Sequence, residues 1–215
     1  MTQLALSPLN DTFLSVAPQE SLCLWDLRTA HLQGRLNLIN SSDRNEAQAL
    51  AAFDPQGLIF AVATGSKYLR LYDARNWDRG AFTTFEILNS DSNSLHTGHW
   101  NALQFSPDGK EILIGTGLDT TVGIVLDSFD GNVKGTLESS DCNSNVLFNC
   151  LTYTPDSKFI IGGRNDGQLS VWQPSNSKPI VETIEGISKD PIKSLAFNPN
   201  FAMLATVGDG TVFYI

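Results

Sequence analysis

The sequence predicts an all-β fold, and three observations support that prediction. Apolar residues occur in short runs of four to six that are rich in Leu, Ile, Val and Phe. Turn-forming residues interrupt these runs every eight to twelve residues, for example at Asp54-Pro55-Gln56-Gly57, Pro107-Asp108-Gly109 and Asn165-Asp166-Gly167. No stretch keeps a 3.6-residue apolar period over eleven or more residues, so no helix is predicted.

One pattern recurs five times: an apolar strand, an x-Pro turn, a second strand, a Gly/Asp/Asn turn and a third strand. The five segments are residues 4–28, 49–75, 102–127, 150–173 and 194–215. Their prolines are spaced 44 to 52 residues apart, at Pro8, Pro55, Pro107, Pro155 and Pro199. The third strands of the first four segments end in Trp25-Asp26, Tyr72-Asp73, Leu126-Asp127 and Trp172-Gln173.

A fourth strand is predicted in the connection after each of the first four segments. Alternating polarity places these strands at residues 35–39, 82–87, 133–137 and 179–184. The repeats then span residues 4–39, 49–87, 102–137, 150–184 and 194–215 of a single domain. A period of about 40–50 residues with a Trp-Asp ending is typical of WD40 blades, so the sequence predicts a WD40 β-propeller with about five blades.

Composition excludes several other classes of protein. The chain has 215 residues, with 14 basic and 23 acidic side chains and a net charge of −9, which argues against direct binding to nucleic acid. No apolar run approaches the roughly 20 residues of a membrane helix, and the first residues do not resemble a signal peptide. The three cysteines, Cys23, Cys142 and Cys150, form no CxxC pair and are expected to be buried, unreactive thiols.

No catalytic, cofactor-binding or metal-binding residues are predicted. Gly115-Thr116-Gly117 lacks the third glycine of a dinucleotide fingerprint, and no GxSxG, HExxH or GxxxxGK motif occurs. The three histidines, His31, His96 and His99, are expected in connections between strands, as solvated residues rather than a metal pair. The sequence therefore favours an interaction module over an enzyme.

Four residues near polar loops are candidates for contact with a partner: Trp77, Arg79, Phe82 and Trp100. The segment 75–85, RNWDRGAFTTF, combines aromatic, basic and acidic residues in a connection. Aromatic residues and arginines are typical anchors of protein interfaces. The alternative is that the aromatic residues pack at a blade edge, and Arg75 is expected to end the third strand as a structural residue.

Several motifs extend the resemblance beyond the general WD40 pattern. They are SPLNDTFLS at 7–15, LWDLR at 24–28, FDPQGLIFAVA at 53–63, LYDARNWDRGAFTTF at 71–85, TPDSKFIIGGRNDGQLSVW at 154–172 and FNPNFAMLAT at 197–206. In these the chain resembles the small nuclear WD-repeat subunits shared by COMPASS-type histone lysine methyltransferase complexes and the mRNA cleavage and polyadenylation factor. Departures from the WD40 pattern are Leu126, Gln173 and a single Gly-His pair, Gly98-His99. Because Leu126 has no N–H to donate, we expect no Trp-centred hydrogen-bond network in the third repeat.

The resemblance implies a non-catalytic nuclear scaffold that links histone methylation to transcription by RNA polymerase II. Implied partners are the methyltransferase catalytic subunit, subunits of the cleavage and polyadenylation machinery and its phosphatase, and the tail of RNA polymerase II. The alternative is a WD40 scaffold of another assembly, such as a substrate receptor of a ubiquitin ligase. An enzyme comes third.

The resemblance also bears on completeness. Such subunits are seven-bladed and longer, which implies that this chain corresponds to roughly the C-terminal two-thirds of one, truncated at its N-terminus. The fifth repeat has three predicted strands, and no spare strand precedes the first repeat. We therefore expect an open array of five blades that tends to self-associate.

Overall fold

The computed structural model describes residues 3–16, 21–37, 49–64, 68–87, 100–116, 121–139, 146–184, 190–198, 201, 203–208 and 212–214. A single 3₁₀ turn, Trp77–Arg79, occurs among them. The strands of the first two repeats are β1 (Gln3–Leu6), β2 (Thr12–Val16), β3 (Ser21–Asp26), β4 (His31–Asn37), β5 (Leu50–Phe53), β6 (Ile59–Thr64), β7 (Tyr68–Asp73) and β8 (Thr83–Glu86). The remaining strands are β9 (Ala102–Phe105), β10 (Glu111–Gly115), β11 (Thr121–Asp127), β12 (Val133–Glu138), β13 (Phe148–Tyr153), β14 (Ile160–Arg164), β15 (Leu169–Trp172), β16 (Val181–Ile184), β17 (Ser194–Phe197), β18 (Leu204–Val207) and β19 (Val212–Tyr214).

The strands form five antiparallel sheets, one in each predicted repeat. Four have four strands in chain order, β1–β4, β5–β8, β9–β12 and β13–β16, and the fifth contains β17–β19. Consecutive strands pair because tight turns join them, so each strand returns beside the previous one. The all-β prediction is confirmed, while the number of blades in a complete propeller stays a prediction.

The predicted fourth strands are confirmed with shifted bounds. β8 and β16 are shorter than predicted, and β4 begins at His31 rather than at residue 35. The expectation that His31 lies in a connection is wrong: Ala30 adopts a left-handed φ of +53°, which closes the turn early and pairs His31 with Asp26. His96 and His99 lie outside the described residues.

The chain divides into two compact units, Met1–Phe105 and Ser106–Ile215. In the first unit β1 lies against β5, and β5 against β9. One core cluster there joins the first two sheets and includes Leu14, Leu24, Phe60 and Tyr72. In the second unit β13 lies against β17, and Ile161, Leu169, Ile192 and Leu204 form a core cluster. The prediction of one domain over residues 1–215 stays a prediction.

The repeats place equivalent side chains at one register. We call the residue before the final Asp or Gln of the third-strand segment the Trp position; it is Trp25, Tyr72, Leu126 or Trp172. Each of these residues lies opposite an apolar residue of the second strand: Phe13↔Trp25, Phe60↔Tyr72, Ile112↔Leu126 and Ile160↔Trp172. The first two pairs stack, with ring centroids 6.1 Å and 5.1 Å apart. In the third repeat Leu126 is completely buried, so an aliphatic pair replaces the aromatic stack.

Among the described residues, no helix is long and apolar enough to cross a membrane.

Candidate interaction surface

The turns after the third strands are built by the aspartate of the Trp-Asp pair. Oδ1 of Asp26, Asp73 and Asp127 accepts a hydrogen bond from the backbone N–H two residues later, at 2.8, 2.7 and 2.8 Å. A short side chain that bonds its own backbone two residues on stabilises a tight turn. The aspartates are therefore structural in all three repeats. Gln173 instead accepts a 2.9 Å bond from the side-chain amide of Asn176.

The x-Pro turns are built by the same kind of local bond. In the third repeat the hydroxyl of Ser106 donates to Asp108 at 2.7 Å and accepts from the N–H of Glu111 at 2.9 Å. In the fourth repeat Thr154 bonds Asp156 at 2.6 Å and accepts from the N–H of Phe159 at 3.1 Å. These bonds satisfy donors that the strands leave unpaired.

The two kinds of turn adjoin within a repeat. The N–H of Leu27 donates to the carbonyl of Asp11 at 2.7 Å, and that of Ala74 donates to Leu58 at 2.9 Å. In the third repeat the N–H of Ser128 donates to the carbonyl of Lys110 at 3.0 Å. We call the x-Pro turn and the turn after the third strand of a repeat together its turn surface. Rigid sheets that hold exposed turns are a common arrangement for binding.

Bulges bring a further side chain to the aspartate. The pairing of β3 with β4 and that of β11 with β12 shift register just before the Trp position, which leaves Gln33 and Lys134 as extra residues. The Nζ of Lys134 lies 2.9 Å from Asp127, and the amide of Gln33 lies 3.5 Å from Asp26. A bulge can re-aim a side chain in this way. Hydrogen bonds from Lys134 and from the N–H of Phe129 hold the pKa of Asp127 below its usual value.

Two glycines that the sequence analysis did not single out lie at one register of the outer strands. Gly34 in β4 pairs with Leu24, and Gly135 in β12 pairs with Val125, each of which directly precedes the Trp position. A Cβ atom at Gly34 would overlap the indole of Trp77, and one at Gly135 would overlap the carbonyl oxygen of Pro174. Each glycine thus makes room for the next repeat. A glycine in a strand often marks a close approach of this kind.

This contact assigns Trp77 a packing role. Its half-buried indole lies over Gly34 and packs against the core cluster of the first unit. The 3₁₀ turn that carries it ends at Gly80, where φ is +90°. Of the two roles considered for Trp77, contact with a partner and packing at a blade edge, packing accounts for its contacts within the chain.

The next residues of the segment face solvent. Arg79 is exposed, and the side chain of Phe82 is 57% exposed while its N–H donates to Leu71 at 3.0 Å. The expectation that Arg75 ends the third strand is wrong, because β7 stops at Asp73. Arg75 lies in the following turn, where its N–H donates to Asp73 Oδ1, and its side chain is exposed. Among the described residues, no salt bridge within 4.0 Å involves Arg75 or Arg79, although the charge of Arg75 helps to lower the pKa of Asp73. The segment thus exposes Arg75, Arg79 and Phe82, and their role as contacts for a partner stays a prediction.

Trp100 differs from these exposed residues because it is buried. Its side chain is 4% exposed, so it is a packing residue in this chain and offers little surface to a partner. An aromatic residue beside a polar loop is compatible with either role in sequence, and only burial separates them.

The thiols and acidic groups form no chemical centre in the part of the chain that is described. No group of three or more His, Cys, Asp or Glu side chains comes together there. Cys23 is buried as expected, whereas Cys150 is half-buried; desolvation still raises the pKa of the Cys150 thiol to about 11, which disfavours its reactive thiolate. Cys142 lies outside the described residues.

Comparison with known proteins agrees with this architecture. The WD40 family profile, "WD domain, G-beta repeat", matches residues 128–173 and 179–214. WD repeat-containing protein 82 of Drosophila melanogaster is 35% identical over 212 residues, which are 99% of this chain and 62% of that protein. The COMPASS component SWD2 of Saccharomyces cerevisiae is 29% identical over 225 residues, covering 100% of this chain and 64% of its own length. The Set1 complex component swd2 of Schizosaccharomyces pombe is 27% identical over 255 residues, covering 100% and 68%.

The chain is shorter than these relatives and spans about three-fifths of the fly protein. The matched profile covers the last strand of the third sheet, β12, together with the fourth and fifth sheets, and the similarity to the relatives extends over all five. The register of the Trp position recurs in the first four sheets, of which the fourth lies in the matched residues. The chain therefore carries WD40 repeats in residues 128–214, and over nearly its whole length it is similar to WD-repeat proteins.

Proposed function

We propose that this chain is a non-catalytic WD-repeat subunit of a Set1/COMPASS-type histone methyltransferase complex and acts in the nucleus. The observation that carries the proposal is its similarity to the yeast COMPASS component SWD2 over the whole of this chain. The relative from Schizosaccharomyces pombe is also named as a Set1 complex component. A scaffold role fits the described structure, in which the side chains of Asp26, Asp73 and Asp127 stabilise turns and do not pair as a nucleophile and its base.

The proposed mechanism is capture of an extended partner segment on the turn surface of the second repeat. Arg79 and Phe82 supply the contacts, with Arg75 beside them and Trp77 holding the segment against Gly34. An exposed aromatic ring and exposed guanidinium groups in the same short segment suit a peptide that carries apolar and acidic side chains. Because the turn is already ordered, most of the ordering cost falls on the partner.

We extend the proposal to two further partners on the resemblance alone. The mRNA 3′-end processing machinery, through its cleavage and polyadenylation and phosphatase subunits, is one of them, and the tail of RNA polymerase II is the other. Direct contact with nucleic acid is not proposed, because the chain has a net charge of −9. We also propose that residues 1–215 form one WD40 domain that corresponds to part of a seven-bladed propeller.

Affinity purification of the tagged full chain from its own cells, followed by mass spectrometry, tests the proposal. We expect the methyltransferase and its companion subunits among the enriched proteins. Subunits of a ubiquitin ligase in their place would favour a different assembly and contradict the proposal.

The binding residues are tested with Arg79→Ala/Phe82→Ala. Lys178→Ala/Ile180→Ala is the matched control, because it also removes an exposed cation and an exposed apolar side chain. We expect the first variant to lose the methyltransferase subunits and the control to keep them. Equal recovery with both variants would remove Arg79 and Phe82 from the site.

A further inference from the structure

The turn of the third repeat carries an unusual aromatic side chain. Phe129 is 91% exposed, more than any other large apolar side chain among the described residues. Single exposed apolar residues are common on protein surfaces, so exposure alone does not indicate a site. What distinguishes Phe129 is the order of the backbone that presents it.

Hydrogen bonds close the turn on every side. The N–H of Phe129 donates to Asp127 Oδ1 at 2.8 Å, and the N–H of Gly131 donates to the Asp127 carbonyl at 3.0 Å. Asp127 in turn donates its N–H to the Asn132 carbonyl at 2.8 Å. The hydroxyl of Ser128 ties the turn to the x-Pro turn through a 2.7 Å bond to the carbonyl of Gly109. The backbone is therefore fixed without any contribution from the phenyl ring.

An ionic network braces the base of the same turn. Lys134 lies 2.9 Å from Asp127 and 3.7 Å from Glu111, whose second oxygen is 3.3 Å from the hydroxyl of Tyr153. Burial and the Glu111 carboxylate raise the pKa of Tyr153 far above its usual value, so the phenol keeps its proton and donates a hydrogen bond to Glu111. The turn is thereby anchored to the first strand of the fourth repeat.

Such an arrangement lowers the cost of an intermolecular contact. A ring with two rotatable bonds on a preordered turn loses little conformational entropy when it is buried by a partner. Aromatic anchors that enter a pocket are typical of the few residues that dominate binding energy. Inside this chain the ring contributes very little buried area, because Phe129 is 91% exposed.

Charge beside the ring narrows the kind of partner. Asp130 follows Phe129 and is exposed, and its two oxygens accept bonds from the N–H and the amide of Asn132 at 2.9 and 2.7 Å. No cation among the described residues pairs with Asp130. A basic group at the edge of the partner's pocket would complement this carboxylate.

We infer that Phe129 is a docking knob for a folded protein partner, and that it enters an apolar pocket edged by Lys or Arg. This site is separate in sequence from Arg79 and Phe82 and uses an inserted side chain rather than a captured peptide. The identity of the partner as a subunit of the methyltransferase assembly rests on the proposed function, whereas the knob itself does not.

The test is photo-crosslinking with p-benzoylphenylalanine at position 129 of the full chain in its own cells. Ile180→p-benzoylphenylalanine is the control, because Ile180 is also an exposed apolar residue of the second unit. The expected result is a crosslink from position 129, absent at 180, whose mapped peptide lines an apolar pocket edged by basic residues. Phe129→Ala, with unchanged thermal unfolding, should weaken binding to the crosslinked protein by about thirtyfold, the loss of a typical anchor.

The outcomes separate the two proposals. A crosslink of the expected kind to a methyltransferase subunit supports both, and one to a protein of another assembly supports the knob while contradicting the proposed function. If the methyltransferase subunits co-purify but position 129 crosslinks no more than position 180, the knob is overturned and the proposed function stands. A crosslink that maps to an acidic or disordered segment also overturns the knob.

Discussion

The indole N–H of Trp172 donates a 3.1 Å hydrogen bond to the backbone carbonyl of Glu138, the last residue of β12. The bond joins the fourth sheet to the third. In the first repeat Trp25 instead donates to the hydroxyl of Ser15 within its own sheet, at 2.8 Å. The two tryptophans hold equivalent positions in their repeats, yet one bonds within its own sheet and the other bonds to the neighbouring sheet.

Gly162 explains the difference. It holds the position in β14 that Ser15 holds in β2, two residues beyond the partner of the tryptophan, and it has no hydroxyl to accept the bond. A Cβ atom there would lie 2.8 Å from Phe148 and 2.9 Å from Trp172. The fourth repeat therefore gains an edge-to-face contact of Phe148 with Trp172, at 5.2 Å, and directs the indole N–H to the neighbouring sheet.

Trp172→Phe is expected to lower the free energy of unfolding by about 1–2 kcal/mol. A six-membered aromatic ring is retained, while the carbonyl of Glu138 loses its donor and the smaller phenyl leaves part of the indole volume empty, so the cost is that of one buried hydrogen bond and a small cavity. Trp172→Ala should cost about 3–5 kcal/mol because it also leaves a cavity. Urea unfolding of the three proteins measures both values. An unchanged stability of Trp172→Phe would show that the hydrogen bond contributes nothing, and equal losses in the two variants would show that the ring adds nothing beyond the bond.

Gly34→Ala is expected to destabilise the chain through Trp77, because its Cβ would overlap the indole. A double-mutant cycle isolates that contact: in a Trp77→Ala background the same glycine substitution should be nearly neutral, a coupling of about 1–2 kcal/mol. Gly135→Ala provides the comparison, since its clash is with backbone and is not relieved by removing a side chain. Additive effects of Gly34→Ala and Trp77→Ala would contradict the assigned packing.

Ser157 adopts a left-handed φ of +60° where the equivalent residue of the third repeat is Gly109, at +75°. Its hydroxyl accepts a 3.1 Å bond from the N–H of Asp108, which links two x-Pro turns. Ser157→Ala keeps the strain and loses the bond, so it should cost about 1 kcal/mol. Ser157→Gly loses the bond but relieves the strain, worth about 1 kcal/mol, and should be close to neutral. Thermal unfolding should show that Ser157→Ala is less stable than Ser157→Gly. A less stable Ser157→Gly would contradict the assigned strain at this position.

Acid should weaken the contribution of Asp127. Its pKa is lower in the folded chain, so its carboxylate stabilises the fold above the unfolded pKa of about 4, and that contribution is lost as pH falls through the folded pKa. The difference in unfolding free energy between the wild type and Asp127→Asn should therefore shrink as pH falls from about 6 to about 2.5. A constant difference over that range would indicate that the bonds from Lys134 and Phe129 do not act on the charge.

The sequence was sufficient for the parts of the fold that depend on local periodicity. The x-Pro turns and the Trp-Asp endings repeat at a regular interval, and each predicted segment became one sheet. The start of β4 was missed because Ala30 is a residue that rarely adopts a positive φ, so no turn was expected to close there.

The candidate site was harder to predict because packing between repeats decides which side chains are free. Trp77, Phe82 and Trp100 look alike as aromatic residues beside polar loops, yet one lies over Gly34, one is exposed and one is buried. Gly34 and Gly135 each lie nine residues after the Trp position of their repeat, at Trp25 and Leu126, and this shared spacing is a signal that could have revealed the packing role of Trp77. Phe129 was not singled out, since exposure of a turn residue is not visible in a sequence.

The most direct measurement of the central proposal is the composition of the methyltransferase assembly itself. The catalytic subunit is tagged and the assembly is purified from the same cells, and native mass spectrometry gives the subunits and their numbers. We expect this chain in the intact assembly in a fixed ratio to the catalytic subunit. An assembly that is complete in its other subunits and lacks this chain would contradict the account.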